Sequence, residues 1–181
     1  RVTIDNMRRI FSSFFAWLED EDFIVKSPVR RIHRVRTESL VKEVLTDENM
    51  EVLRDSCQEI RDIAMIDLLA STGMRVGELV NLNREDIDFH ERQCVVFGKG
   101  NKEREVYFNA RTKIHLQNYL SSRTDDNPAL FVSLSNPHSR LSISGVEVRL
   151  RTLGRKVNIA KVHPHKFRRT LATMAIDKGM P

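Results

Sequence analysis

The chain has 181 residues, 40% of them hydrophobic and 30% charged, with 30 Lys and Arg against 25 Asp and Glu and a formal net charge of +5. That is a globular composition, and its modest basic excess permits a polyanionic partner without demanding one. Two widely separated cysteines, Cys57 and Cys94, make neither a disulfide framework nor a metal site, so a reducing cytoplasm is the default location; no run is apolar enough for a membrane span or a signal peptide.

Residues 3–20 read as a helix with an apolar stripe of Ile4, Met7, Phe11, Phe14, Phe15 and Leu18, widened by Ile10 and Trp17. One helix cannot bury so much aromatic surface alone, so it is expected to be the last helix of a bundle. The alternative is an amphipathic helix docked on the domain that follows. Residues 26–36 read as a linker, because Pro28 disfavours helix and Lys26, Arg30, Arg31, Arg34 and Arg36 occur with no acid among them. Such a run suits a phosphate backbone, and equally a solvated charge run. Thr46 is expected to cap the next helix, with Met50 and Leu53 inward and Cys57 beside them. A helix over 60–71 follows, broken by Gly73.

A new helix begins at once, with Val76, Leu79 and Val80 on one face and Arg75 in its first turn. Strands are expected at 86–89, 93–97 and 104–108, the last two joined by the turn GKGNKE. A helix from about 111 to 120 should turn Ile114 and Leu120 inward. After the loop TDDNPA and the apolar run LFV at 130–132, Ser142 or Ser144 caps a helix to about Val157. The last helix runs from Pro164 to Lys178 and stops at Gly179. The fold class is therefore α+β, mainly α, with a small three-stranded antiparallel sheet.

Three places carry chemistry. Arg75 adds a cation to a helix start, where the dipole already favours anions, and Glu78 is near enough to orient it. Taken alone, a solvated surface Arg–Glu pair explains this better, and the anion reading gains from Lys99 and from His165 to Arg168. Lys99 lies between two glycines on the hairpin turn; beside arginines its pKa falls from about 10.4, which makes it a better proton donor. Lys102, on the same turn, is an exposed lysine or a phosphate contact. On the last helix, Phe167, Leu171 and Met174 form an apolar stripe, and His165 and Arg168, three apart on another face, can converge on one anion. Together these groups can clamp a phosphodiester, stabilise the charge that develops on it and protonate a leaving alkoxide. A covalent mechanism still needs a nucleophile.

STGMRVGELVNL, VVFGKGNKEREV and HPHKFRRTLAT, in this order, resemble the three signature blocks of the tyrosine recombinases, the phage-integrase and Xer-like family. The resemblance covers about Thr46 to Pro181 as catalytic domain, and it makes residues 1–26 the end of a helical core-binding domain and 27–45 a basic interdomain linker. It implies catalytic roles for Arg75, Lys99, His165 and Arg168, with Glu78 in support. It also implies strand exchange on double-stranded DNA by a homotetramer, through a covalent phosphotyrosine, with no metal or high-energy cofactor. Lys26, Arg30, Arg31, Arg34, Arg36, Lys102 and Arg169 are the expected DNA contacts.

Two features depart from the family pattern. The second His or Trp and the nucleophilic Tyr that follow H-x-x-R are absent. Tyr107 and Tyr119, the two tyrosines present, sit outside the nucleophile's place and are expected to pack. The chain starts at Arg1 without methionine and stops at Pro181, so a piece of a longer recombinase is expected, inactive by itself. The alternatives are a non-catalytic DNA-binding relative on the same scaffold and, more remotely, a magnesium nuclease using Asp86, Asp88 and Glu103. Type IB topoisomerases share related chemistry, but the wording of the blocks favours the recombinases.

Overall fold

In the computed structural model, residues 2–34, 43–98 and 103–180 are described. Arg36, Lys99 and Lys102 therefore lie outside the described residues. The chain forms two compact units, Arg1–Lys42 and Glu43–Pro181.

In the first unit, helix α1 (Val2–Asp20) carries the expected stripe. Met7, Phe11 and Phe14 remain about half exposed, so the stripe is not consumed by its own unit. Beyond α1 the chain turns back on the helix end. Trp17 packs on Phe23 with ring centroids 5.9 Å apart. Glu19 accepts the Ser27 amide at 3.1 Å and pairs with Arg30 at 3.6 Å.

The second unit is built around α3 (Ile60–Thr72). Ala64, Met65, Ile66, Leu68 and Leu69 are wholly buried, as a helix covered on nearly all sides must be. Helix α2 (Asp47–Asp55) leads into it, capped by the Thr46 hydroxyl accepting the Asn49 amide at 3.2 Å. Gly73 ends α3 with φ +57°, and its amide donates to the Leu69 carbonyl. Helix α4 (Val76–Asn81) follows within three residues.

A single 3-10 turn at Arg84–Asp86 takes the start of the expected first strand. That strand, β1, is reduced to Ile87–Asp88. Strands β2 (Gln93–Phe97) and β3 (Glu103–Tyr107) complete an antiparallel sheet of order β1-β2-β3, with Cys94 opposite Val106 and Val96 opposite Arg104. Helices α5 (Ala110–Ser122) and α7 (Pro164–Asp177) pack on α3, while α6 (Ile143–Lys156), capped by Ser142, packs on α4.

Two expectations are corrected here. Ile114 points outward at 55% exposure, and Thr112, Leu116 and Tyr119 form the inward face of α5. The α5 register is set by Thr112, whose hydroxyl donates to the Asp67 carbonyl on α3 at 3.2 Å. Tyr107 does not pack either. Strand alternation sends Arg104, Val106 and Phe108 inward and Tyr107 outward, where its hydroxyl donates to Glu105 at 2.7 Å. Tyr119 does pack, stacked on Phe131, with its hydroxyl accepting the Val132 amide.

The core is not purely apolar. Asp62 is fully buried and takes Arg61 at 2.7 Å and Arg149 at 2.6 Å, and Arg61 also donates to the Val132 carbonyl. This cluster joins α3, α6 and the 130–132 segment. Removing its one carboxylate strands a buried guanidinium, a loss of about 3 kcal/mol or more. Asp62→Ala should therefore lower unfolding free energy in urea by about that amount. A loss under about 1 kcal/mol, the range of an exposed pair, would show that the cluster does not brace the core.

Candidate active site

The site grows from the three residues between α3 and α4, Gly73, Met74 and Arg75. Gly73 must be glycine on two counts. Its φ is in the left-handed region, and a Cβ there would stand 2.9 Å from Leu171 Cδ2 of α7. That close approach lets α7 lie against the turn. Arg168 then donates from Nη1 to the Gly73 carbonyl oxygen at 2.7 Å. Arg168 and Arg75 are 93 residues apart in the chain, yet both flank this one turn.

Arg75 sits one position earlier than the first helical turn: it is the N-cap of α4. Glu78 then works as the return half of a capping box. Its Oε2 accepts the Arg75 amide at 2.8 Å, and its Oε1 accepts Arg75 Nη1 at 3.0 Å. The Glu78 side chain is 4% exposed and that of Arg75 50%. The guanidinium is thus gripped from beneath and open to solvent above.

A third donor reaches the same carboxylate. Arg104 Nη2 lies 2.5 Å from Glu78 Oε2. Burial pushes the Glu78 carboxyl up, but the Arg75 amide and guanidinium and the Arg104 charge outweigh it and hold the group below its ordinary value. Arg104 belongs to β3, the partner of β2, so Glu78 ties that strand pair to the Arg75 turn. Arg104 was not among the residues expected from sequence. The signal was present in strand alternation: a charge on the same face as buried Val106 needs an internal partner.

On α7, His163 is the N-cap, Pro164 the first helical residue and His165 the second, with its ring exposed. His165 and Arg168 thus share one side of the first turn. The His163 ring is held below the usual imidazole range, first by burial and then by the charges of Arg169, His165 and Lys166. Uncharged at neutral pH, its Nε2 faces Arg169 Nη2 at 3.5 Å. Arg169 therefore leans on His163 rather than toward Arg168's side.

The other candidates fall elsewhere. Lys26, Arg31 and Arg34 are exposed in the first unit, and Arg30 is partly drawn onto Glu19. Two of the three carboxylates considered for magnesium are occupied by local turns: Asp86 accepts the Asn83 amide, and Asp88 those of His90 and Glu91, while Glu103 is exposed at the start of β3. Among the described residues no three His, Cys, Asp or Glu side chains gather as a metal site requires. Burial raises the thiols of Cys57 and Cys94 to about 11 and about 12, so neither is a ready nucleophile. No described helix is long and apolar enough to cross a membrane.

The chain as a whole is similar to known proteins. The phage integrase family model matches residues 42–181. The tyrosine recombinase XerC of Staphylococcus aureus (strain bovine RF122 / ET3-1) is 32% identical over 173 residues, covering 90% of this chain and 57% of its own length. The crystal structure of XerA recombinase is 32% identical, with a TM-score of 0.70 over 93% of this chain and 61% of that one. The Tn1549 transposon integrase, solved in complex with a circular intermediate DNA, shares the fold at a TM-score of 0.80 and 21% identity, over 99% of this chain and 68% of that one. The chain thus spans under two thirds of the length of its XerC and XerA relatives. With the family model running through the Arg75 turn, the hairpin and α7, the chain belongs to the phage integrase family of tyrosine recombinases.

Proposed function

We propose that this chain is the anion-gripping part of a site-specific DNA recombinase that cuts and rejoins duplex DNA through a covalent 3′-phosphotyrosine, without a metal ion. The observation that carries the reading is the Arg168 bond to the Gly73 carbonyl, two residues from an Arg75 already fixed by Glu78. Two guanidinium groups held at one turn suit the non-bridging oxygens of a phosphodiester, where charge builds in the transition state. Because their anchors are buried, they need little reorganisation as that charge appears.

Lys99 serves as general acid on the leaving 5′ oxygen, and His165 hydrogen-bonds the phosphate and handles a proton. Arg104 acts as a positioning residue through Glu78. Lys26, Arg30, Arg31, Arg34, Arg36, Lys102 and Arg169 contact the DNA backbone. The nucleophile is a tyrosine outside this chain, since the Tyr107 hydroxyl is engaged by Glu105 on the outer sheet face and that of Tyr119 is buried under Val132. Residues 1–26 are the end of a helical core-binding domain, which suits the half-exposed stripe of α1, 27–45 are a linker and 46–181 the catalytic domain. The whole protein works in the cytoplasm as a homotetramer on two duplexes. The XerC and XerA relatives and the DNA complexes of the Tn1549 integrase support this reading.

In the complete recombinase, Arg75→Ala and Arg168→Ala should each lower strand cleavage by about 10²-fold or more while leaving the melting temperature near that of the parent. Arg104→Ala should lower cleavage less, and Arg104→Lys should recover part of it. Lys99→Ala should slow cleavage of ordinary DNA but not of a 5′-bridging phosphorothiolate, whose thiolate leaves without a proton. Lack of rescue would remove Lys99 as the acid.

The chain alone should form no covalent adduct with a nicked suicide duplex on a denaturing gel, because arginines cannot replace an attacking oxygen in line with the leaving group. An adduct lost on Tyr107→Phe would move the nucleophile into this chain.

A further inference from the structure

Most arginines of the larger unit are spent inside it. Arg54, Arg104 and Arg149 serve buried carboxylates, and Arg123 and Arg140 serve backbone carbonyls. Arg151, Arg155 and Lys161 differ. All three are exposed, and none of their side chains has a hydrogen bond or ion pair among the described residues. They line the same cleft, about 470 Å³ in volume, together with Glu147, His163 and His165. Glu147 is the one carboxylate in that wall.

The cleft is built rather than incidental. Its floor is the loop between α6 and α7, closed down on α6 at Gly154. A Cβ on Gly154 would stand 2.5 Å from Val162 Cγ2 and 2.9 Å from the Ile159 carbonyl oxygen. Within the loop, Asn158 and Lys161 adopt left-handed φ of 57° and 54°. From the other side, the Lys166 Nζ donates to the Ala160 carbonyl at 2.9 Å, and Lys166 is itself 4% exposed. Lys161 is thus presented on a segment fixed by both helices. Arg151 and Arg155, one helical turn apart on α6, line the same cleft.

We propose that this cleft seats the phosphodiester backbone of DNA next to the His165–Arg168 site, with Arg151, Arg155 and Lys161 as its phosphate contacts. The inference rests on the DNA reading above and adds contacts to it. Three unpaired cations spread along an open groove match a row of anions better than one compact ligand. The groove also runs into His165, so one strand can pass from the cleft to the clamp without leaving basic surface.

The test uses the 181-residue chain and a labelled duplex, with affinity measured by anisotropy from low to moderate salt. Each phosphate contact adds about 0.9 to the slope of log K against log salt. Arg151→Ala/Arg155→Ala should therefore reduce the slope by about 2 and Lys161→Ala by about 1, with weaker binding on any sequence. The control Lys113→Ala/Lys178→Ala removes two unpaired cations elsewhere and should leave the slope near that of the parent. A steep parent slope that the cleft variants do not change, or that the control changes as much, overturns the cleft while leaving the DNA reading intact. A parent chain with no salt-dependent affinity overturns both.

Discussion

The buried carboxylate of Glu78 is the constraint on which the candidate site depends. A carboxylate at 4% exposure is costly unless its lone pairs are filled. Here they are filled by the Arg75 amide, the Arg75 guanidinium and Arg104. One group therefore caps a helix, aims a cation and fastens the β2–β3 hairpin. Any change at Glu78 acts on all three at once. That predicts non-additive effects among Arg75, Glu78 and Arg104, as expected for residues sharing one acceptor.

Gly73 supplies the second half of the arrangement by what it lacks. With no side chain, it lets Leu171 approach and leaves its carbonyl for Arg168. The turn thus gathers cations from helices distant in sequence. The repulsion between them is offset by a carbonyl dipole on one side and by a carboxylate on the other. The exposed sides of the guanidinium groups remain available to an anion, which turns a local strain of like charge into affinity for phosphate.

Much of this was legible in the sequence because it is local. Thr46, Ser142 and Gly73 act as helix caps where short-range chemistry places them. The mainly helical fold with its small sheet follows the periodicities, and the three blocks carried the family. What was missed depends on which face of each element the tertiary packing buries. Ile114 has helical spacing suited to burial, yet Thr112 sets the α5 register through α3. Tyr107 looked like a packing aromatic, but the strand face was decided by Val106 and Phe108. Arg104 and Lys166 were not singled out in the sequence, and their acceptors, Glu78 and the Ala160 carbonyl, are set beside them by the fold. Asp62, buried with Arg61 and Arg149, gives no local sign of its position.

The central claim is that Arg75 and Arg168 form one anion site rather than two separate cations. Titrating inorganic phosphate into the chain, while following the side-chain N–H resonances of both arginines by NMR, tests this directly. The account predicts that the two respond together with one apparent affinity and that Arg168→Ala weakens the response of Arg75. Independent titrations, or an Arg75 response unchanged by that substitution, would contradict it.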